Sequence, residues 1–309
     1  MPHSSIQKPE ISIIIPVKNG IATINACLHA IFSQTLIDQT EVIIIDSGST
    51  DGTLDIISQY PVRLYQIPPE AFNHGTTRNY GISLAKGDYI MMTVQDAIAP
   101  DEYWLEIMHS HFSDDKLAGV CGMQRIPQLQ SINPFEWTRA INLPEIRAYQ
   151  FKNINDFNEL SPSTKREICG WDNVNSMYRK TILTSYPFEP VKFGEDIRWA
   201  ISIIKEGFKI LYDPHAKVAH YHPFDKSSEF HRKYIEIAQD DILLELKSKR
   251  VPLLKSFIML LYKAYKWRIN PKWMFTQIYR WLIYNQAHKQ YITAKRNHSK
   301  DEIIKQLFI

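Results

Sequence analysis

The run ISIIIPVKNG, Ile11 to Gly20, decides the fold. From Ile11 to Val17 it is apolar but for one serine and does not alternate, the pattern of a strand covered on both faces. Lys18, Asn19 and Gly20 then turn the chain out of it. Working outward, Ile21 to Ser33 carries Ile24, Leu28, Ile31 and Phe32 at helical spacing, and EVIIID, Glu41 to Asp46, repeats the buried-strand pattern. The turn SGSTDGT follows, with Asp51 placed to cap a helix running to about Gln59. Val62 to Gln66 predicts a short third strand, and Thr76 to Ala85 a helix closed at Lys86 by a Gly87 cap. YIMMTVQDAIAP, Tyr89 to Pro100, is a fourth strand that stops at Gln95 and Asp96.

Unbroken apolar strands separated by helices predict an α/β protein: a doubly wound, Rossmann-like, mostly parallel central sheet. Ligands of such sheets sit outside the carboxyl ends of the strands. Those ends carry Lys18 and Asn19, then Asp46, then Gln95 and Asp96, and are expected to meet at one crevice. A carboxylate ending a buried strand is costly unless something charged or polar meets it, which makes Asp96 the first candidate for chemistry. There is no GxGxxG after the first strand and no GxxxxGK[ST], so the dinucleotide fingerprint and the P-loop are both excluded.

Further along, a helix is expected from Asp101 to about Phe112, then the strand LAGVCGM. Gln124 to Arg166 is polar and irregular, the character of a substrate loop, and Ile168 to Arg179 is mixed. FGEDIRWAISIIKEG, Phe193 to Gly207, opens a helix on Glu195 and Asp196. Lys209 to Tyr212 and Lys217 to Tyr221 read as two short strands, and from Ser228 the pattern is helical, in segments separated by Pro252 and Pro271.

Cys27, Cys121 and Cys169 lie far apart with no CxxC, which argues against a disulfide framework or a zinc cage and for a reducing cytosol. The N-terminal MPHSSIQKPE lacks a signal-peptide pattern and no apolar run approaches the ~20 residues of a spanning helix, so the expected place is cytoplasmic. The net charge of +3 hides an asymmetry: from Lys247 onward there are 14 Lys plus Arg against Asp301 and Glu302 alone. A basic tail on an acidic body predicts a surface that meets something anionic. Leu254, Phe257, Ile258, Leu261 and Tyr265 share one helical face, and Met274, Ile278, Trp281 and Leu282 repeat this beyond Pro271. The tail therefore either lies on a membrane surface or packs on the body or on a second copy.

Each other constellation has two readings. Asp46 and Asp96 bind a ribose and a divalent cation, or each caps a helix. Glu195 and Asp196 complement a helix dipole, or one of them is a general base. His220 and His222 project to one face of an extended segment, towards a metal or diphosphate, or are structural histidines. Arg78 offers a phosphate fork, or is solvated.

Taken jointly, IIIPVKNG, IIIDSGSTDGT, FNHGTTRN (Phe72 to Asn79), TVQDA (Thr93 to Ala97), WDNVNSMYRK (Trp171 to Lys180) and FGEDIRWA (Phe193 to Ala200) resemble an inverting, GT-A type family 2 glycosyltransferase. Within that family the chain is most similar to bacterial rhamnosyltransferases of cell-surface polysaccharide synthesis. The resemblance implies a GT-A catalytic domain over 1–227 and a basic helical C-terminal extension over 228–309. It implies that Pro16, Val17, Asn19 and Asp46 hold the nucleotide base and ribose, and that Arg78 and Gln95 complete the donor site. Asp96 matches the metal-binding aspartate, His220 a histidine that completes the metal shell in some relatives, and Asp196 the catalytic base. Glu195, Trp171 and His222 fall on the acceptor side or support the site. Gln95 and Ala97 stand where acids usually flank the metal aspartate, and Gly20 where a glutamate is common.

The implied reaction transfers a sugar, L-rhamnose from dTDP-L-rhamnose or otherwise the sugar of a UDP-sugar, with Mg²⁺ or Mn²⁺. The acceptor is a glycan or lipid-linked oligosaccharide at the inner face of the cell membrane, the protein being peripheral there, and no nucleic-acid partner is expected. A nucleotidyltransferase shares the layout but should carry a Gly-rich basic loop after the first strand, which PVKNG matches poorly. A nucleotide-sugar- or glycan-binding protein with a degenerate metal site is the non-enzyme alternative, and retention of both Asp96 and Asp196 argues against it.

Overall fold

The structure, a computed structural model, describes residues 8–129, 131–137 and 142–308. In chain order the elements are β1 (Ile11–Val17), α1 (Ile24–Phe32), β2 (Thr40–Asp46), α2 (Thr53–Ile57), β3 (Arg63–Gln66), α3 (His74–Leu84), β4 (Tyr89–Thr93), α4 (Trp104–Ser110), β5 (Leu117–Arg125), β6 (Arg147–Tyr149), α5 (Ile154–Asn158), α6 (Pro162–Ile168), β7 (Asn175–Arg179), α7 (Lys180–Ser185), α8 (Glu195–Lys205), β8 (Lys209–Ala219), α9 (Lys226–Leu244), α10 (Leu253–Lys266), α11 (Pro271–Asn297) and α12 (Lys300–Phe308). The strands form one sheet in the order β3-β2-β1-β4-β7-β5-β8-β6. β3, β2, β1 and β4 run parallel, and β5 is parallel to β8, while β7 and β6 are antiparallel to their neighbours.

The chain divides into two compact units: residues up to 125 with 140–160 and 167–221, and residues 126–139 with 161–166 and 222–309. The first holds the whole sheet. Ile13, Ile15, Val42, Ile44 and Met91 are fully or almost fully buried beneath Cys27, Leu28, Leu105 and Met108 of α1 and α4. Each large aliphatic side chain so buried contributes roughly 1.5–3 kcal/mol of transfer free energy. The expected unbroken burial is thus observed in β1, β2 and β4, and with it the α/β class, whereas β3 alternates between half-buried and exposed positions.

Two local expectations differ. β8 is one strand, not two, although Pro214 interrupts it: the ladder with β5 jumps register between Asp213 and Lys217. Proline cannot donate to the ladder, so the strand bulges there and resumes. Asn175 fills the bulge, its Nδ2 donating to the carbonyls of Ala216 (2.9 Å) and Met123 (3.2 Å). A side chain on Gly122 would sit 2.3 Å from the Ala216 oxygen. Gly87 is also not a helix cap; α3 ends with Ala85 in an extended conformation. The glycine instead passes β1 so closely that a Cβ would lie 2.7 Å from the Ile11 carbonyl carbon.

The second unit packs α9 against α11, burying Ile235, Ala238 and Ile242 with Ile283, Ala287 and Tyr291. Its buried carboxylate, Glu229, accepts from Arg232 (3.0 Å) and Arg280 (3.0 Å). No helix among the described residues is long and apolar enough to cross a membrane. The three cysteines are buried, and burial pushes the Cys27 thiol up to about 12.

Candidate active site

β1, β2 and β4 are adjacent and parallel, so their carboxyl ends lie side by side. The loops there are tied together as the sequence suggests. Gln95 accepts from the Lys18 N–H (2.9 Å) and donates to the Lys18 carbonyl (3.0 Å). A Cβ on Gly20 would lie 2.6 Å from Gln95 Oε1, so glycine here is what lets Gln95 make that bond. Asn19 takes a left-handed backbone (φ 48°), tolerable for Asn, and its side chain accepts from the Thr50 N–H at 2.9 Å. Val17 is buried and Pro16 half-buried beside them. Asp46 is fully buried; it accepts from the N–H groups of Gly48 (3.1 Å) and Ser49 (3.2 Å) and from the Ser49 hydroxyl (2.5 Å), so its first task is to shape the SGS turn.

The motif FNHGTTRN sets a second part of the site. Asn73 caps α3, accepting from the N–H groups of Gly75 and Thr76. Gly75 seats that turn against the chain ahead of α8: a Cβ would come 1.8 Å from the Glu189 carbonyl oxygen. Asn79 grips the same segment in both directions, donating to the Phe188 carbonyl (2.8 Å) and accepting its N–H (3.1 Å). Arg78 consequently reaches α8, with Nη1 3.0 Å from Glu195 Oε1 and 3.1 Å from His74 Nδ1, and it is almost wholly buried. Arg78 Nε has no hydrogen-bond partner among the described residues.

Glu195 and Asp196 open α8 with different surroundings. Glu195 is buried, which raises its pKa, but Arg78, His74 and the Asn173 amide (2.9 Å) outweigh this and hold the carboxyl below its usual range. Among the described residues Asp196 has only backbone donors, the N–H groups of Ile197 (2.8 Å) and Asn173 (3.3 Å). Burial, then the charge of Glu195, then that of Asp172, push its pKa up to about 8. The cations go to Glu195, so a proton shared by the two acids belongs on Asp196. Neighbouring carboxylates with pKa values driven apart are the arrangement of acid–base sites.

Asn173 was not singled out by the sequence, yet it organises this corner. It touches both acids and accepts from the Tyr178 hydroxyl at 2.5 Å, which in turn accepts from Trp171 Nε1 at 2.8 Å. Trp171 is itself buried, packed 5.6 Å from the Trp199 ring, and so supports the site from behind. The available signal was NVN: two asparagines entering a buried strand need partners.

Asp96 meets His220. Ile98 pairs with Ala219 (2.9 and 2.8 Å), which draws the QDA loop to the end of β8, and His220 Nε2 lies 3.5 Å from Asp96 Oδ1. His220 Nδ1 is hydrogen-bonded to Gln124 Oε1 (2.9 Å), which orients the ring with Nε2 towards the carboxylate. A cation with ligands at about 2.1 Å separates adjacent ones by roughly 3 Å, so the Asp96–His220 spacing fits one ion. A histidine whose other ring nitrogen is held by a hydrogen bond is also the usual form of a metal ligand. His222 belongs to the second unit and is exposed. The Thr93–Asn175 pairing places the QDA loop and the Asp172–Val174 turn, which holds Asp196, at one end of the sheet.

The pattern of Glycosyl transferase family 2 matches residues 12–185. The chain is 34% identical over 231 residues to an O-antigen chain rhamnosyltransferase of Salmonella anatum, spanning 73% of this chain and 70% of that one. It is 31% identical over 230 residues to a second such enzyme from Salmonella typhimurium, again over 73% and 70%. Among solved structures, a mannosyltransferase of Pyrobaculum calidifontis in complex with GDP-mannose and Mn²⁺ superposes with a TM-score of 0.61 at 15% identity, over 93% and 88% of the two chains. S. aureus TarS residues 1–349 with UDP-GlcNAc gives 0.55 at 15%, over 93% and 92%. These two likenesses speak for the fold alone. With the sheet, the carboxylate pair and the matched pattern together, the chain belongs to glycosyl transferase family 2: it is a glycosyltransferase of the GT-A fold that resembles O-antigen rhamnosyltransferases.

Proposed function

We propose that the protein is an inverting glycosyltransferase that moves L-rhamnose from dTDP-L-rhamnose onto a lipid-linked or growing cell-surface glycan. The observation that carries the mechanism is the split carboxylate pair, with Glu195 held ionised by Arg78 and Asp196 left to exchange a proton. The donor class is supported by the nucleotide-sugars bound to the GT-A likenesses, and the sugar by the two Salmonella relatives.

In this reading Pro16, Val17, Asn19 and Gln95 present the tied loops of β1 and β4 to the nucleotide, and Asp46 keeps the turn beneath the ribose in shape. Asp96 and His220 would hold a divalent cation, Mg²⁺ or Mn²⁺. When bound, that cation supplies positive charge to the leaving diphosphate. Asp196 takes the proton of the acceptor hydroxyl as its oxygen bonds to the anomeric carbon. The bond from that carbon to the diphosphate breaks on the opposite face, so one displacement inverts the centre. Glu195, tied to Arg78 and Asn173, fixes the base in line. The catalytic part comprises 1–227 and the basic extension 228–309, and the protein works at the cytoplasmic face of the membrane, where a lipid-linked acceptor is presented.

A screen of nucleotide sugars by thermal shift, with and without Mg²⁺ or Mn²⁺, tests this, because a ligand that binds only the folded state raises the unfolding temperature. dTDP-L-rhamnose with metal should give the largest rise and EDTA should abolish it. A larger rise with a UDP-sugar reassigns the donor, and no rise with any nucleotide sugar overturns the reading.

A further inference from the structure

In α10 only Leu260 and Ala264 are buried, one turn apart, so the helix touches its own unit along a single narrow stripe. Most of its apolar residues lie elsewhere. Leu254, Ile258, Leu261 and Tyr265 recur every three or four positions, with Tyr262 beside them, which gathers them on one face, away from the stripe. They stand out in solvent, Leu254 at 77%, Ile258 at 61% and Tyr265 at 88% exposure. A soluble monomer rarely presents a contiguous apolar face of this kind without a partner.

The charge beside that face says what the partner is. α10 carries Lys255, Lys263 and Lys266 and no acid, and no Asp or Glu occurs anywhere from Leu246 to Lys300. Arg268 and Lys272 follow directly, and the lysines lie by aromatic rings: Lys263 Nζ is 5.5 Å from the centre of Trp267, and Lys266 Nζ 5.9 Å from Tyr262. Two copies joined through this face would set lysine against lysine with no carboxylate to meet either. An anionic bilayer satisfies both needs, since it accepts the apolar residues in its acyl boundary and the cations at its headgroups.

We propose that the exposed face of α10 is the membrane-seating surface of this protein, entering an anionic phospholipid surface through Leu254, Ile258, Leu261 and Tyr265 with the lysines at headgroup level. This deepens the functional reading, for it supplies the surface that brings the enzyme to a lipid-linked acceptor. It does not depend on which sugar is transferred.

The test is flotation of the full chain with vesicles of phosphatidylethanolamine containing phosphatidylglycerol, and with vesicles of phosphatidylcholine alone. Binding is expected to the first and not the second, and to weaken as salt rises. The double variant Leu254→Glu with Tyr265→Glu should lose about tenfold or more of that binding, and Lys255→Glu with Lys263→Glu should do the same by removing the headgroup contacts. Both are surface changes, so the unfolding temperature and its rise with nucleotide sugar should match the parent, which keeps loss of membrane seating separate from loss of donor binding. Equal flotation of parent and variants, or none by the parent, overturns the proposal. So does a parent dimer by light scattering that the same variants dissociate, for the face would then be a subunit interface.

Discussion

If Asp196 is the acceptor's base, activity must follow its ionisation, and the structure sets where that occurs. With a pKa near 8, about a tenth of free enzyme molecules carry Asp196 ionised one pH unit lower. The pH profile of kcat/KM reports the free enzyme, so it should rise about tenfold per unit up to that region and level off above it. An ordinary aspartate would place this limb near pH ~4. Glu195→Gln removes the adjacent negative charge and releases Arg78 to act on Asp196, two effects of one sign, so the limb should move towards acid by on the order of one unit. Asp196→Asn should lower kcat by roughly 10² to 10⁴ with the donor-induced thermal shift intact. Stability follows the same proton. The folded pKa lies above the unfolded one, so the contribution is fully present below the unfolded value and is lost as pH rises through about 8. The urea midpoint should therefore fall progressively as pH rises from about 4 to about 8 in the parent, and less so in Asp196→Asn. A limb that stays in place in Glu195→Gln, or near-normal turnover by Asp196→Asn at saturating donor and acceptor, would refute the assignment.

Asp96→Asn should weaken the metal-dependent thermal shift by nucleotide sugar as well as turnover, unlike Asp196→Asn; an unchanged shift in EDTA would show that Asp96 holds no cation. Gln124→Leu leaves His220 Nδ1 without its acceptor, and should raise the Mn²⁺ concentration for half-maximal shift about 10- to 100-fold, read by titration. Gly75→Ala drives a methyl into the Glu189 carbonyl and should cost about 1–3 kcal/mol in urea unfolding, with a further loss of turnover as Arg78 shifts from Glu195.

The parallel half of the sheet was legible because each of its main strands is apolar throughout, a pattern with few other meanings. β8 was cut in two because Pro214 reads as a stop, and only the tertiary filling by Asn175 and Gly122 carries the strand past it. Asp96, Asp196 and His220 stood out in the chain as candidates because they sit at element ends beside short polar motifs. The role of Arg78 in holding Glu195 was not legible: it arises from packing between segments more than a hundred residues apart, set by Gly75 and Asn79. Asn173 was missed although NVN offered a signal, because its bonds to Tyr178 and the two acids of α8 depend on how the turn ahead of β7 packs against α8. The tail's amphipathicity was plain, but not that α10 turns its apolar face outward, because periodicity cannot tell which side a neighbour occupies.

The two-way grip of Asn79 on Phe188, with Gly75 pressed on Glu189, has a consequence for building hybrids with relatives. Residues 73–79 and 188–196 form a single exchangeable block although they are distant in the chain. A chimera that imports residues 73–79 from another enzyme and keeps this α8 would mismatch the clamp and displace Glu195 and Asp196. Crossover points that move both segments together, with Asn173 accompanying them, should yield active hybrids at a higher rate than cuts made between them.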